Sequence, residues 1–324
     1  MADDTLLRGA GRLVGCGRPR PGEDVLLLTD DGVDQSIVEQ FKLAVEKTGA
    51  EATIVLMRPR RQEHLHPSRA AAAAYRGADL IIELTSRFVQ HSGARQEAQK
   101  DGRRYLFIGD IDAAMLRGPG AVDADFEGLA PRIRGLADLV TKADSMRLTS
   151  PSGTDITVST EGRQGRALTG LATEPGEFSA PPCLEAGVVP VLGTAYGTVV
   201  VDAYCVGLGL IHQPFTVRVE EGKAVAIDGS PQGDELLRLL RSANNPNAFN
   251  IAEIGIGMND KAELIDNVTS AEACYGTAHV AVGTTPADLG IEVVDGGLHL
   301  DMVFHEPTIE IGDQLVMSAG RLTS

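Results

Sequence analysis

The sequence predicts an α/β N-terminal domain with a mainly parallel sheet, followed by an α+β, β-rich C-terminal domain that binds metal. Three observations carry this. Residues 24–145 alternate short apolar runs with helix-period patterns, the signature of repeated βα units. Beyond Ser145 the pattern changes to short strands with a period of two. Near the C-terminus His299 and Asp301 stand two apart in an apolar run, and His279 stands in another.

In the first domain, taken as residues 1–146, residues 24–28 form the opening strand. Asp34 is placed to cap a helix running to about Thr48, because its short carboxylate can accept from the exposed N–H groups of a first turn. Residues 52–57 are the next strand, 67–76 an alanine-rich helix and 78–84 a third strand. Residues 105–108 make a fourth, and 129–142 read as helix. No Gly-x-Gly-x-x-Gly or Gly-x-x-x-x-Gly-Lys stands between a strand and a helix, so no nucleotide site is expected. The glycines from Gly9 to Gly17 read as a loose scatter ahead of the first strand.

In the second domain, residues 147–324, strands are expected at 155–159, 197–202, 215–220 and 224–228, with a strand at 146–148 marking the boundary. Glu221-Gly222 is a hairpin turn signal. One helix interrupts them at 234–243, with Ser230 or Asp234 available near its start.

The formal charge of −16, from 45 acidic and 29 basic residues, argues against nucleic acid and anionic membrane surfaces as partners. Residues 1–12 carry no apolar run of signal-peptide length and no segment approaches a membrane span, so a cytoplasmic location is expected. The four cysteines are far apart with no Cys-x-x-Cys pair, which signals neither a zinc knuckle nor a disulfide framework. Tryptophan is absent, so a stacking platform for bases or sugars has few residues to build it.

The chemistry concentrates in four short segments. In a strand, alternate side chains share a face, so His299 and Asp301 point one way while Leu298, Leu300 and Met302 point the other. Should His279 lie beside that face, two imidazole nitrogens and one hard oxygen make the smallest facial set that holds a non-haem divalent ion with open positions. A buried carboxylate on an apolar strand is costly without a cation or several donors. The same holds for Glu253 in the segment Ile251-Ala252-Glu253-Ile254-Gly255-Ile256-Gly257, while Glu177 lies in Pro175-Gly176-Glu177-Phe178-Ser179-Ala180-Pro181. A buried ion pair or a carboxylate bonded to backbone is the alternative for each glutamate.

These segments, in this order, resemble the metallo-aminopeptidases of the aminopeptidase T/S type and the branch similar to them that opens 2,5-dihydroxypyridine. The resemblance matches Glu177 to a Gly-Glu-(x)-Phe-Thr-Ala-Pro segment and Glu253 to a Glu-(Leu/Ile)-Gly-Ile-Gly segment. It matches His279 to a Gly-Thr-x-His-(Ile/Val)-Ala-x-Gly segment, and His299 with Asp301 to a His-x-Asp segment. The peptidase pattern expects a tyrosine seven residues after the first histidine, where this chain has Pro286.

The resemblance therefore implies a ring-cleaving dioxygenase, with Fe(II) held by His279, His299 and Asp301 and with Glu253 carried as a further ligand. Its partners would be O2 and a hydroxylated, nitrogen-containing aromatic, and a homo-oligomer is implied. A base must deprotonate the ring hydroxyl; His91, after the third strand, has a suitable ordinary pKa, and Glu177 is carried with it as a catalytic candidate. Arg87 or Arg95 could hold an anionic group. The second reading is an amide hydrolase with one or two Zn, Co or Mn ions, in which Glu177 and Glu253 are ligands.

Overall fold

The computed structural model describes residues 4–60, 66–286, 291 and 293–323. The chain divides into two compact units, one of residues 1–130 with 168–184, the other of residues 131–167 with 185–324.

The first unit is α/β. Its five-stranded sheet has the order Glu51–Met57, Asp24–Asp30, Leu80–Leu84, Arg104–Phe107, Phe178–Ser179, and every adjacent pair is parallel. The run Val25–Leu28 is continuous rather than alternating because a parallel strand is covered on both faces, and all four residues are buried. Asp34 caps the helix Gln35–Glu46, accepting from Ser36 N at 2.9 Å. That helix buries Ile37, Val38, Phe41, Ala44 and Val45, a stripe at helical spacing. The alanine-rich segment forms a short helix, Arg69–Ala74, extended by a 3₁₀ turn.

The glycine scatter is itself a helix, Asp4–Gly15. A Cβ on Gly9 would stand 2.1 Å from the Leu116 carbonyl oxygen, so the glycine permits close approach of the Ala113–Arg117 helix. Leu6, Leu7, Ala10, Leu13 and Val14 supply the apolar face that the glycines hid in the sequence.

The second unit is built on two sheets in which each recorded strand pairing is antiparallel. One has eight strands in the order Lys223–Asp228, Phe215–Glu220, Tyr196–Val201, Asp155–Ser159, Ser145–Thr149, Thr308–Ile311, Gln314–Ser318, Arg321–Leu322. Glu221 (φ 49°) and Gly222 (φ 71°) form the tight hairpin turn between its first two strands. The helix begins at Pro231, ahead of the expected Asp234, with Ser230 accepting from Gly233 N. Proline suits a first helical position because its missing N–H would have no partner there.

Among the described residues, no helix is long and apolar enough to cross a membrane. All four cysteines are free thiols, three of them buried.

Candidate metal centre

The second sheet of this unit orders its strands Gly209–Leu210, Tyr204–Cys205, His299–His305, Thr277–Gly283, Ile251–Gly257, Glu185–Val188, Arg166–Leu168. Its register sets Gly283 opposite His299, Ala281 opposite Asp301 and Val303 opposite His279. Across the next pair Gly255 faces His279 and Ala281 faces Glu253, and across the next Glu185 faces Gly257. Directly opposed residues share a face. Glu185, Glu253, His279, His299 and Asp301 therefore all rise from one side of the sheet. Ile254, Ile256, Val280, Val282 and Met302 fill the other side, fully buried.

Two local devices make this face possible. The register slips between Ile251 and Glu253, an irregularity of the β-bulge kind. Ile251 faces Val282 on the apolar side, whereas Glu253 is re-aimed to the side of Ala281 and Asp301. Small residues then clear the space above the strands. A Cβ on Gly255 would meet His279 Nε2 at 2.1 Å, and one on Gly187 would stand 3.2 Å from Glu253 Oε1.

The polar atoms converge closely. His279 Nε2 is 3.6 Å from both Asp301 Oδ1 and Glu185 Oε2. His299 Nε2 is 3.4 Å from the same Asp301 oxygen and 3.5 Å from Glu253 Oε2. One carboxylate oxygen thus lies within reach of two imidazoles, and it accepts no hydrogen bond although buried. Two donor groups are compact enough for an ion: Glu185, Glu253 and His279, and Glu253, His299 and Asp301. His299 is the most open of the five residues, with 15% of its side chain exposed.

His299 Nδ1 lies 2.6 Å from the Thr284 carbonyl oxygen. A carbonyl can only accept, so Nδ1 carries the proton of that bond, and in the neutral ring Nε2 is left with its lone pair.

Burial disfavours charge on His299, but the Asp301 carboxylate, then Glu253 and the Thr284 carbonyl, push its pKa up to about 9. For Asp301, burial would raise the pKa; the His299 and His279 rings and the Glu272 hydrogen bond outweigh it and hold the group well below the usual carboxylate range. Glu253 is pushed up to about 8 by burial, with Arg166 opposing and Glu185 and Asp301 adding to the rise. A buried group of this composition holds protons in place of a cation.

Three residues of the cluster escaped the sequence reading. Glu185 lies in the apolar run Leu184-Glu185-Ala186-Gly187-Val188, a signal of the same kind as that for Glu253. Arg166, on the edge strand, donates from Nη2 to Oε1 of both Glu185 and Glu253. Glu272, on the short helix Val268–Ala273, hydrogen-bonds Asp301, and burial followed by the Asp301 charge raises its pKa well above the usual range. For Arg166 and Glu272 no local pattern marks the role.

The other residues singled out lie elsewhere. Glu177 belongs to the first unit, where its Oε2 accepts from Thr173 N and Glu174 N at 2.7 and 2.9 Å. This is the backbone-bonded carboxylate that the sequence left open. His91 is also in the first unit, half-buried in the segment between the strand Leu80–Leu84 and the helix Gly93–Lys100. Glu83 at the end of that strand is fully buried, and its Oε1 accepts from Thr85 Oγ1 and Val89 N, which fixes the start of the segment. Its Oε2 accepts from Tyr105 Oη at 2.7 Å. Arg95 is buried, donating to the Gln90 carbonyl and Gln99 Oε1, with its guanidinium 4.4 Å from the Phe178 ring centre. The remaining described histidines, His66, His212 and His305, are exposed.

Comparison with known proteins places this arrangement. The family model described as NicX, 2,5-dihydroxypyridine 5,6-dioxygenase, matches residues 13–324. A 2,5-dihydroxypyridine 5,6-dioxygenase of Pseudomonas putida KT2440 is 25% identical over 268 residues, covering 78% of this chain and 73% of that protein. The solved structure of 2,5-dihydroxypyridine dioxygenase from the same organism superposes with a TM-score of 0.85 at 19% identity, covering all of this chain and 98% of the other. Wild-type AmpT from Thermus thermophilus superposes with a TM-score of 0.71 at 16% identity, with both chains fully covered. The fold is thus that of the aminopeptidase T-like group, as the motif order implied.

Proposed function

The chain belongs to the 2,5-dihydroxypyridine 5,6-dioxygenase family, and from that premise we propose that it opens a hydroxylated, nitrogen-containing aromatic ring with O2 at one Fe(II) held by His279, His299 and Asp301. The observation that carries this reading is the Asp301 oxygen that lies between two imidazole nitrogens and accepts no hydrogen bond. Ligands about 2.1 Å from one ion lie roughly 3 to 4 Å from each other, so each imidazole separately stands at ligand distance from Asp301 Oδ1. The compact groups join His279 with Glu185 and Glu253, and His299 with Asp301 and Glu253; a shared ion draws the two rings together over Asp301. Two nitrogens and one hard oxygen on one side of the ion are the donor set of non-haem Fe(II) oxygenases, with positions left for substrate.

When bound, the iron supplies a site where the ring oxygen and O2 are brought together. The protein's part is to present and orient the donors. The Thr284 carbonyl fixes the His299 ring so that Nε2 points at the centre, and the Glu272 hydrogen bond orients Asp301. Glu253 Oε2 lies 3.5 Å from His299 Nε2 and is available as a fourth donor. For the proton of the ring hydroxyl, His91 is our choice of acceptor, because an imidazole suits proton transfer near neutral pH and this one follows a parallel strand. Glu177 Oε2 accepts from two backbone N–H groups, and we assign this residue to the structure of its own loop rather than to the proton transfer.

A second reading, a two-ion amide hydrolase, is favoured by the presence of two overlapping donor groups that share Glu253. Oxygen uptake separates the two. Anaerobically purified, Fe(II)-loaded protein should consume O2 when given 2,5-dihydroxypyridine, and His299→Ala should abolish uptake while keeping the wild-type circular dichroism. Anaerobic turnover of aminoacyl anilides with Zn, and no O2 uptake with Fe(II), would decide for hydrolysis.

A further inference from the structure

The two donor groups share Glu253, and the two carboxylates of the first already hold a side-chain cation. Arg166 Nη2 donates to Oε1 of Glu185 and Oε1 of Glu253, and all three side chains are nearly buried. We propose that Arg166 is a built-in cation that stands in for a second divalent ion and restricts the centre to one metal. The inference deepens the reading of the His279, His299 and Asp301 set as ligands and rests on it.

Charge balance supports the assignment. With a metal bound and its protons displaced, the three buried carboxylates Glu185, Glu253 and Asp301 would bring three negative charges to the face. The guanidinium supplies one positive charge and a single divalent ion supplies two, with neutral imidazoles as ligands. These three carboxylates, the guanidinium and one divalent ion then balance, which limits the cost of burying them. A second divalent ion beside Arg166 would leave the set strongly positive, and the ion would have to displace the guanidinium from both carboxylates.

Removing the guanidinium reverses the preference. Glu185 and Glu253 then lose the guanidinium that both accept from and stand as two buried carboxylates beside His279, a group that a divalent ion fits. A lysine at position 166 keeps the positive charge without the forked donor, and keeps the count at one.

The test is metal stoichiometry. Metal-free wild type, Arg166→Lys and Arg166→Met are titrated anaerobically with Zn(II) and with Co(II), followed by calorimetry and elemental analysis after desalting. Wild type and Arg166→Lys should bind one ion per chain and Arg166→Met two. Co(II)-loaded Arg166→Met should also show the magnetic coupling of a paired centre. Should Arg166→Met fold only with metal, refolding it in Zn(II) and counting ions after removal of excess gives the same readout. Two ions on the wild type, or one ion on folded Arg166→Met, overturns the proposal. No ion on the wild type would instead overturn the underlying ligand assignment, so the two failures are distinguishable.

Discussion

Gly255 stands directly opposite His279 across an antiparallel strand pair, and the imidazole lies over it so closely that a methyl group there would meet Nε2 at 2.1 Å. The ring occupies the volume that any other residue at 255 would fill. Gly255→Ala should therefore push His279 away from Asp301 and weaken Mn(II) or Fe(II) binding by about 10- to 100-fold. Calorimetry measures it, and an unchanged affinity would show that the ring position does not matter.

Asp301→Asn removes a charge but keeps the shape of the side chain. Metal that binds only the folded state raises the melting temperature by mass action. Added Mn(II) should raise the melting temperature of the wild type and leave that of Asp301→Asn where it was. A shift of wild-type size in the variant would remove Asp301 from the ligand set.

Metal binding should strengthen with pH. His299 is held protonated up to about pH 9 by Asp301 and Glu253 against the effect of burial, so an entering ion must displace its proton. The affinity should rise by up to tenfold per pH unit and level off near 9. Glu253, pushed up to about 8 by burial against Arg166, steepens the slope below 8 if it also ligates. Anaerobic competition with a chelator from pH 6 to 9.5 checks it, and a flat profile contradicts it.

Glu83 gives a pH dependence to the stability of the first unit. Burial raises its pKa from 4.5 to about 7, against the hydrogen bonds from Thr85, Val89 and Tyr105. Between those values the folded chain holds a proton that the unfolded chain has lost, so stability falls as pH rises through that window and this group adds no further change above it. The effect is on the order of 3 kcal/mol. Glu83→Gln should flatten that part of the profile in urea unfolding at pH 4.5 to 7.5, while an unchanged slope would assign it elsewhere.

Much of this was legible in the residues, and the reasons differ by site. The period-two pattern through His299 and Asp301 placed both on one face, and the strand His299–His305 with Leu300 and Met302 buried shows it. The continuous apolar runs marked the parallel strands because those strands are covered on both sides. The re-aiming of Glu253 was not legible, since a bulge moves a side chain to the other face without changing the local pattern. The Arg166 contact spans 87 positions in the chain, and no spacing rule reaches that far. The strand Phe178–Ser179 was hidden for a similar reason, as its partner in the parallel sheet is Tyr105–Leu106. The helix Asp4–Gly15 was missed because its glycines serve close packing rather than turns.

Anomalous diffraction at the iron edge, from crystals grown anaerobically with Fe(II), tests the central claim most directly. The account predicts one peak per chain, about 2.0 to 2.3 Å from His279 Nε2, His299 Nε2 and Asp301 Oδ1. A peak that leaves out either imidazole, or no peak on this face of the sheet, would contradict it.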